Sequence, residues 1–228
     1  MFDLSNTLVE FDLSKVEQEF NIPYMKRVGY DISIERWVEA KKTVDGEIER
    51  NSPEIADKFG GWMYLMSLAL GINMTMEKCI EEEKAFNDYA VKKSRLMSNA
   101  LKILNFLKDQ GIKLVVMSNM KKEVAEKVLE KHNIKRFFDF IVNIEELGYK
   151  KSSLTPFKVV LNELRYPPNE CIMVGDRLDE DAYCKRVGIN FVWISKFKRE
   201  FYRTIEGYDF EIKDLMELKP IVFDLMKR

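Results

Sequence analysis

From Ser98 onward, apolar residues alternate between helical spacing and short continuous runs, the pattern of an α/β chain with a buried parallel sheet. Ser98 or Asn99 is placed to cap a helix whose apolar face carries Leu101, Leu104 and Leu107, and Gly111 ends it. Lys113 to Met117 reads as a buried strand, followed by polar Ser118-Asn119 and a helix from about Lys121 to His132. A further strand is expected at Phe138 to Val142. Thr155-Pro156 opens a helix, with the threonine hydroxyl as cap and the proline at its first position, and Pro167-Pro168 stops it. Cys171 to Val174 is the next strand, Asp179 to Val187 the next helix, and Phe191 to Ile194 a further strand. Phe210 to Ile212 and a helix after Asp214 close the series.

Residues 12–93 differ, because their apolar positions recur at helical spacing and no comparable strand appears. Breaks are expected at Asn21-Ile-Pro23, Ser52-Pro53 and Gly60-Gly61. This segment reads as a helical domain inserted into an α/β core formed by residues 1–11 and 94–228.

At 228 residues, 46% of them hydrophobic, the chain is long enough to bury a sizeable core and too apolar for intrinsic disorder. Its 37 Lys and Arg against 38 Asp and Glu leave a net charge of -1 and no basic tract, which argues against a broad nucleic-acid surface. Trp62 to Ile72, the longest apolar stretch, is too short to span a bilayer and is expected to be a core-facing helix. Cys79, Cys171 and Cys184 have no close metal-binding spacing and read as buried, reduced thiols of a cytoplasmic protein. The single histidine, His132, is expected at a helix end, where a cation favours the dipole.

Four short motifs carry candidate chemistry. Phe2-Asp3-Leu4-Ser5-Asn6-Thr7-Leu8 places an aspartate and a small polar loop near the start, and Val116-Met-Ser118-Asn119 places a hydroxyl at a strand end. Gly148-Tyr-Lys150-Lys151 is followed by Phe157, and Val174-Gly-Asp176-Arg-Leu-Asp-Glu-Asp181 makes an acidic loop after a strand. Taken singly each has a plain structural reading: Ser118 as a cap, Lys151 as a solvated charge, Asp176 and Asp181 as loop acids. Together and in this order they resemble the four motifs of the haloacid dehalogenase superfamily, over nearly the whole chain.

The resemblance implies a Rossmann-like parallel sheet with an inserted helical cap, and a ligand at the carboxyl ends of the strands. It implies Asp3 as nucleophile, Lys151 as the neutralising ammonium, and Thr7, Ser118 and Asn119 as phosphate-binding residues. It also implies Mg2+ held by the Asp3 carboxylate, the Ser5 carbonyl and Asp176, with Asp181 orienting the shell. A carboxylate attacks a phosphoryl group only when the charge gathered on both is offset, hence the joint need for a cation and an ammonium. The expected activity is hydrolysis of a small phosphorylated metabolite through an aspartyl phosphate, in a monomer or homodimer without membrane or nucleic-acid partners. Arg27, Arg36, Lys41, Lys42, Trp62 and Tyr64 are further residues of the inserted segment that could meet a substrate, although most are expected to be solvated or core.

Two features depart from the family pattern. Ser5 stands where such phosphatases carry a second aspartate, the general acid, whose loss costs about 10² to 10⁴ in rate. Only Met1 and Phe2 precede Asp3, so the strand bearing the nucleophile is either very short or begins upstream. Two alternatives follow: a binding or regulatory protein that has lost turnover, and a 2-haloacid dehalogenase, against which Asp176 and Asp181 argue.

Overall fold

A computed structural model describes residues 1–51, 60–144, 146–197 and 206–227. Contacts divide the chain into two units, Met1–Phe11 with Ser94–Arg228, and Asp12–Lys93.

The first unit is a parallel sheet whose centre is the amino-terminal segment Met1 to Asp3. After it come the two-residue strands β1 (Val9–Glu10) and β2 (Arg95–Leu96), paired antiparallel where the chain leaves and re-enters this unit. The sheet strands are β3 (Val115–Ser118), β4 (Phe140–Asn143), β5 (Ile172–Gly175), β6 (Asn190–Ile194) and β7 (Phe210–Ile212). β3 pairs β4, and β5 pairs β6 and β6 pairs β7, all in parallel. Phe2 joins the two halves by bridging Val116 on one side and Val174 on the other. The bonds Phe2 N–H to Val115 O at 2.7 Å and Asp3 N–H to Val174 O at 2.9 Å fix the register. The order is therefore β4, β3, amino-terminal segment, β5, β6, β7. Its direction reverses at the segment that carries Asp3, the place where ligands of open α/β sheets bind.

Buried apolar residues make these strands adhere. Val115, Met117, Met173, Phe191 and Trp193 pack with Phe157 and Val160 in one core cluster. All three cysteines are buried and free, as expected.

Several elements differ from their sequence expectation. Helix α5 (Ala100–Asp109) buries Ile103, Leu104 and Leu107, but Leu101 is exposed; Asn99 precedes it in a left-handed conformation with its amide turned to Asp214. Helix α7 (Thr155–Leu164) has Pro156 in its first turn, yet Leu154 is its cap and no side chain bonds there, so the Thr155 hydroxyl does not cap it. The stretch expected as a helix from Asp179 is a 3-10 helix over Asp181–Val187, because Asp181 turns inward to bond the backbone of Arg177. His132 caps α6 (Lys122–Lys131), and burial together with Lys131 lowers its pKa, so near neutral pH it is an uncharged ring against the Ser94 hydroxyl at 2.9 Å. The cation at that helix end is Lys131.

The second unit is helical: α1 (Leu13–Arg27), α2 (Ile34–Asn51), α3 (Gly61–Ala69) and α4 (Met76–Lys93). Met25, Trp37, Met63, Met66 and Cys79 form its core. The break expected at Asn21-Ile-Pro23 does not occur, since α1 runs through Pro23. Gly60 adopts φ +76° and starts α3, while Ser52-Pro53 lies outside the described residues. Arg36 donates to Leu70 O and Lys41 pairs with Glu17.

Candidate active site

Asp3 leaves the central segment at its carboxyl end, flanked by Ser118 at the end of β3 and Gly175-Asp176 at the end of β5. The loop that follows is closed by its own backbone: Asn6, at φ +55°, donates to Val9 O, and Leu8 and Val9 both donate to Leu4 O. Asparagine tolerates that left-handed conformation, and its side-chain oxygen also accepts the Phe11 N–H at 3.2 Å. Thr7 is fully buried in this loop with no hydrogen-bond partner for its hydroxyl, while Ser5 is half-buried.

Lys151 reaches the same place from the turn before α7. It is only 1% exposed, and its ammonium bonds Asp3 Oδ1 as well as Asp181 Oδ1 at 3.0 Å. Burial works against its charge, but Asp181 and Asp3 outweigh that and hold the pKa above the ordinary lysine value. Asp181 is itself wholly buried; its other oxygen accepts the Arg177 N–H at 3.0 Å. Gly175 permits this pose, since a Cβ there would fall 2.1 Å from Asp181 Oδ2.

Asp3, Asp176 and Asp181 each bring a carboxylate oxygen within 4.8 Å of the others. Three carboxylates face one ammonium, and burial followed by the repulsion of Asp3 and Asp181 raises the pKa of Asp176. Burial likewise raises that of Asp181, with Lys151 opposing and Asp3 adding to it. The Asp176 carboxylate has no hydrogen-bond or ion-pair partner among the described residues. A cluster of hard oxygen donors with excess negative charge and a free carboxylate fits a divalent cation such as magnesium.

The sequence-expected residues thus fall into two groups. Asp3, Lys151, Asp176 and Asp181 converge directly, while Ser118 is buried at the end of β3, the strand that flanks the Asp3 segment, and Thr7 is buried in the loop that follows Asp3. Asn119 instead ties the β3 loop to the acidic loop, donating to Glu180 Oε2 at 2.6 Å. Sequence reasoning did not single out Glu180, whose pKa burial raises and which also pairs with Arg177 at 2.9 Å. Nor did it find Trp193, whose indole N–H holds Asp176 O at 3.0 Å, or Asn143, which bonds Met120 O at 2.5 Å and Glu146 N–H at 3.1 Å. Only the position of Glu180 within an acidic run hinted at a role.

A parallel sheet whose strand order reverses at a buried carboxylate cluster defines a class of α/β enzymes that bind their ligand at strand ends. Residues 34–194 match the family described as haloacid dehalogenase-like hydrolase, a span that includes Ser118, Lys151, Asp176 and Asp181 and begins after Asp3. The chain belongs to that family. It is similar to a phosphoglycolate phosphatase of Aquifex aeolicus, 38% identical over 85 residues, covering 37% of this chain and 40% of that protein. A glyceraldehyde 3-phosphate phosphatase of Methanocaldococcus jannaschii is 34% identical over 131 residues, 57% of each chain. The matches thus span about half the length of these two relatives. In fold it is similar to the HAD-hydrolase YfnB of Bacillus subtilis bound to magnesium, with a TM-score of 0.77 at 17% identity over 97% of this chain and 96% of that one. No helix among the described residues is long and apolar enough to cross a membrane.

Proposed function

We propose that this hydrolase is a magnesium-dependent phosphatase acting on a small phosphorylated metabolite, with turnover limited by Ser5. The observation that carries the reading is the single buried ammonium of Lys151 lying on both Asp3 and Asp181, with the Asp176 carboxylate beside them. The phosphatase names of its relatives support the same reaction class.

Asp3 is the nucleophile. Its oxygen attacks phosphorus in line with the leaving oxygen, forming an aspartyl phosphate that water then hydrolyses. Lys151 aims the Asp3 carboxylate through its bond to Oδ1 and offsets charge on the incoming phosphoryl group. The hydroxyls of Ser118 and Thr7 hold phosphoryl oxygens, with Asn119 alongside them. Asp3, the Ser5 carbonyl and Asp176 hold the metal, and Asp181 orients Lys151 and the loop amide of Arg177. The metal supplies further neutralisation of the phosphoryl oxygens.

A serine at position 5 cannot deliver a proton to a basic leaving group at neutral pH, so sensitivity to the leaving group is the signature of the proposal. Wild type is expected to cleave p-nitrophenyl phosphate faster than an alkyl phosphate, and Asp3→Asn to abolish both activities. Ser5→Asp should raise alkyl-ester hydrolysis by roughly 10-fold or more, up to the general acid-base contribution of about 10² to 10⁴, and change the activated ester less. Inert wild type and inert Ser5→Asp, both folded and binding magnesium by calorimetry, would replace this reading with that of a binding protein.

A further inference from the structure

The loops after β3 and β5 lie on either side of Asp3 and are tied to each other. β3 and β5 both pair with the central segment rather than with one another, so their ends stand two strand spacings apart, roughly 9–10 Å. Asn119, one residue beyond the end of β3, bridges that gap by donating from Nδ2 to Glu180 Oε2 at 2.6 Å. The ionised acceptor makes this a short, strong bond.

Each end of the tie is anchored. On the β3 side, Met120 N–H donates to Ser118 Oγ at 3.1 Å and Asn143 Nδ2 donates to Met120 O at 2.5 Å, which fixes the curl of the loop and holds it from β4. With one lone pair of the Ser118 hydroxyl taken by Met120, the hydroxyl proton is left to donate elsewhere. On the β5 side, the Arg177 guanidinium lies 2.9 Å from Glu180 Oε1 and holds Asp179 through Nε at 3.1 Å and Nη2 at 2.6 Å. Asp181 accepts the Arg177 N–H at 3.0 Å and donates its own N–H to Arg177 O at 2.8 Å, closing residues 177–181 into one turn directly after Asp176. Glu180 is thus held by one oxygen within its own loop and offers the other to the loop opposite.

On the phosphatase reading of this site, we propose that Glu180 is a positioning residue: through Asn119 it sets the separation between the Ser118 hydroxyl and the Asp176 carboxylate. A phosphoryl group held between a hydroxyl donor and a metal ligand must span that separation, and a shift of about 1 Å at such a site costs about 10²-fold in rate. Glu180 touches no reacting atom in this role. What it contributes is an acceptor for the Asn119 amide, and its charge serves only to keep it on Arg177.

A set of variants tests it, assayed with p-nitrophenyl phosphate and titrated by calorimetry with magnesium, then with inorganic phosphate in its presence. Glu180→Ala should lower kcat by roughly 10- to 100-fold and weaken phosphate by a smaller factor, with magnesium affinity within about 3-fold of wild type. Glu180→Gln keeps an oxygen for the Asn119 amide and should retain most of the activity. In an Asn119→Ala background, Glu180→Ala should have no further effect, because the two residues act through one bond. If Glu180→Ala fails to fold, Glu180→Met, which keeps the bulk and removes the acceptor, takes its place in each comparison. An unchanged kcat in Glu180→Ala, a Glu180→Gln as impaired as the alanine variant, or an alanine loss undiminished in the Asn119→Ala background would each overturn the proposal. Wild type that binds magnesium but neither binds phosphate nor cleaves the ester would refute the phosphatase reading and this role with it, whereas a failure confined to the Glu180 comparisons leaves that reading standing.

Discussion

Lys151 is among the most deeply buried side chains of the described residues and one of the few that are charged. Its ammonium is tolerable there because two carboxylates meet it, and the converse also holds: removing it strands Asp3 and Asp181 in a low-dielectric site. Lys151→Ala is therefore expected to destabilise the metal-free protein by about 3–5 kcal/mol, measured by urea unfolding, with added magnesium recovering part of the loss. An unchanged unfolding midpoint would mean that the ion pair carries no structural load. At this scale the sequence revealed the residues that sit at strand ends, since an apolar run followed by Ser118 or Gly175-Asp176 marks where a parallel strand opens into a loop. It did not reveal Trp193 or Asn143, because each acts through a partner's backbone carbonyl, and a sequence says nothing about which carbonyl a side chain will reach. His132 was legible as a helix end but not in its charge, because burial against Ser94 and Lys131 is a tertiary property.

Helix α1 carries a proline in its interior. Pro23 has no N–H to give Glu19 O and is exposed, so no packing compensates for the missing bond. Pro23→Ala should stabilise the protein by about 1–3 kcal/mol, below the full helix-propensity difference because alanine also gains freedom in the unfolded chain; a Tm scan reads the sign directly. The expectation of a break there followed the local rule, and the packing of Val16 and Met25 on either side overrode it. The opposite case is Asp214, whose side chain accepts the Met216 N–H at 2.8 Å while Glu217 reaches back to the Asp214 N–H at 2.7 Å. Here the local signal for a helix start was sufficient, although a 3-10 turn precedes the helix proper. Thr155 shows the limit of such signals, because it lies one position inside the helix while Leu154 takes the capping position, and no side chain caps that end.

For the molecule as a whole, the buried acids set the response to pH. Glu82 in α4 is 2% exposed, one of its oxygens has no partner, and burial followed by Glu83 raises its pKa from 4.5 to about 8. The folded state thus holds a proton that the unfolded state has lost. Stability from this group is complete below pH 4.5 and is lost as pH rises through about 8, by an amount on the order of a few kcal/mol. Asp176 and Asp181 act with the same sign when no metal is bound, so the difference between wild type and Glu82→Gln isolates the contribution. Urea unfolding at pH 5 and pH 8.5 should show wild type losing more stability than the variant; parallel losses would assign the effect elsewhere. The alternation of strands and helices was readable along the chain, and with it the parallel sheet. Less legible was that Phe2 completes a ladder on both sides, with Val116 and with Val174, because a run of two apolar residues before Asp3 does not name its neighbours.

The close approach of Asp181 to Gly175 has an evolutionary consequence. Since a methyl group at position 175 would overlap the Asp181 carboxylate, the constraint runs one way: position 175 cannot enlarge unless Asp181 moves or is replaced, whereas the glycine sets no steric limit on position 181. A chain in which Asp181 is replaced has given up the oxygen that steadies Lys151. A path from this sequence to one without the glycine therefore runs through a change at position 181 or a displaced Asp181 side chain, so a larger residue at 175 is expected only where that contact has been given up.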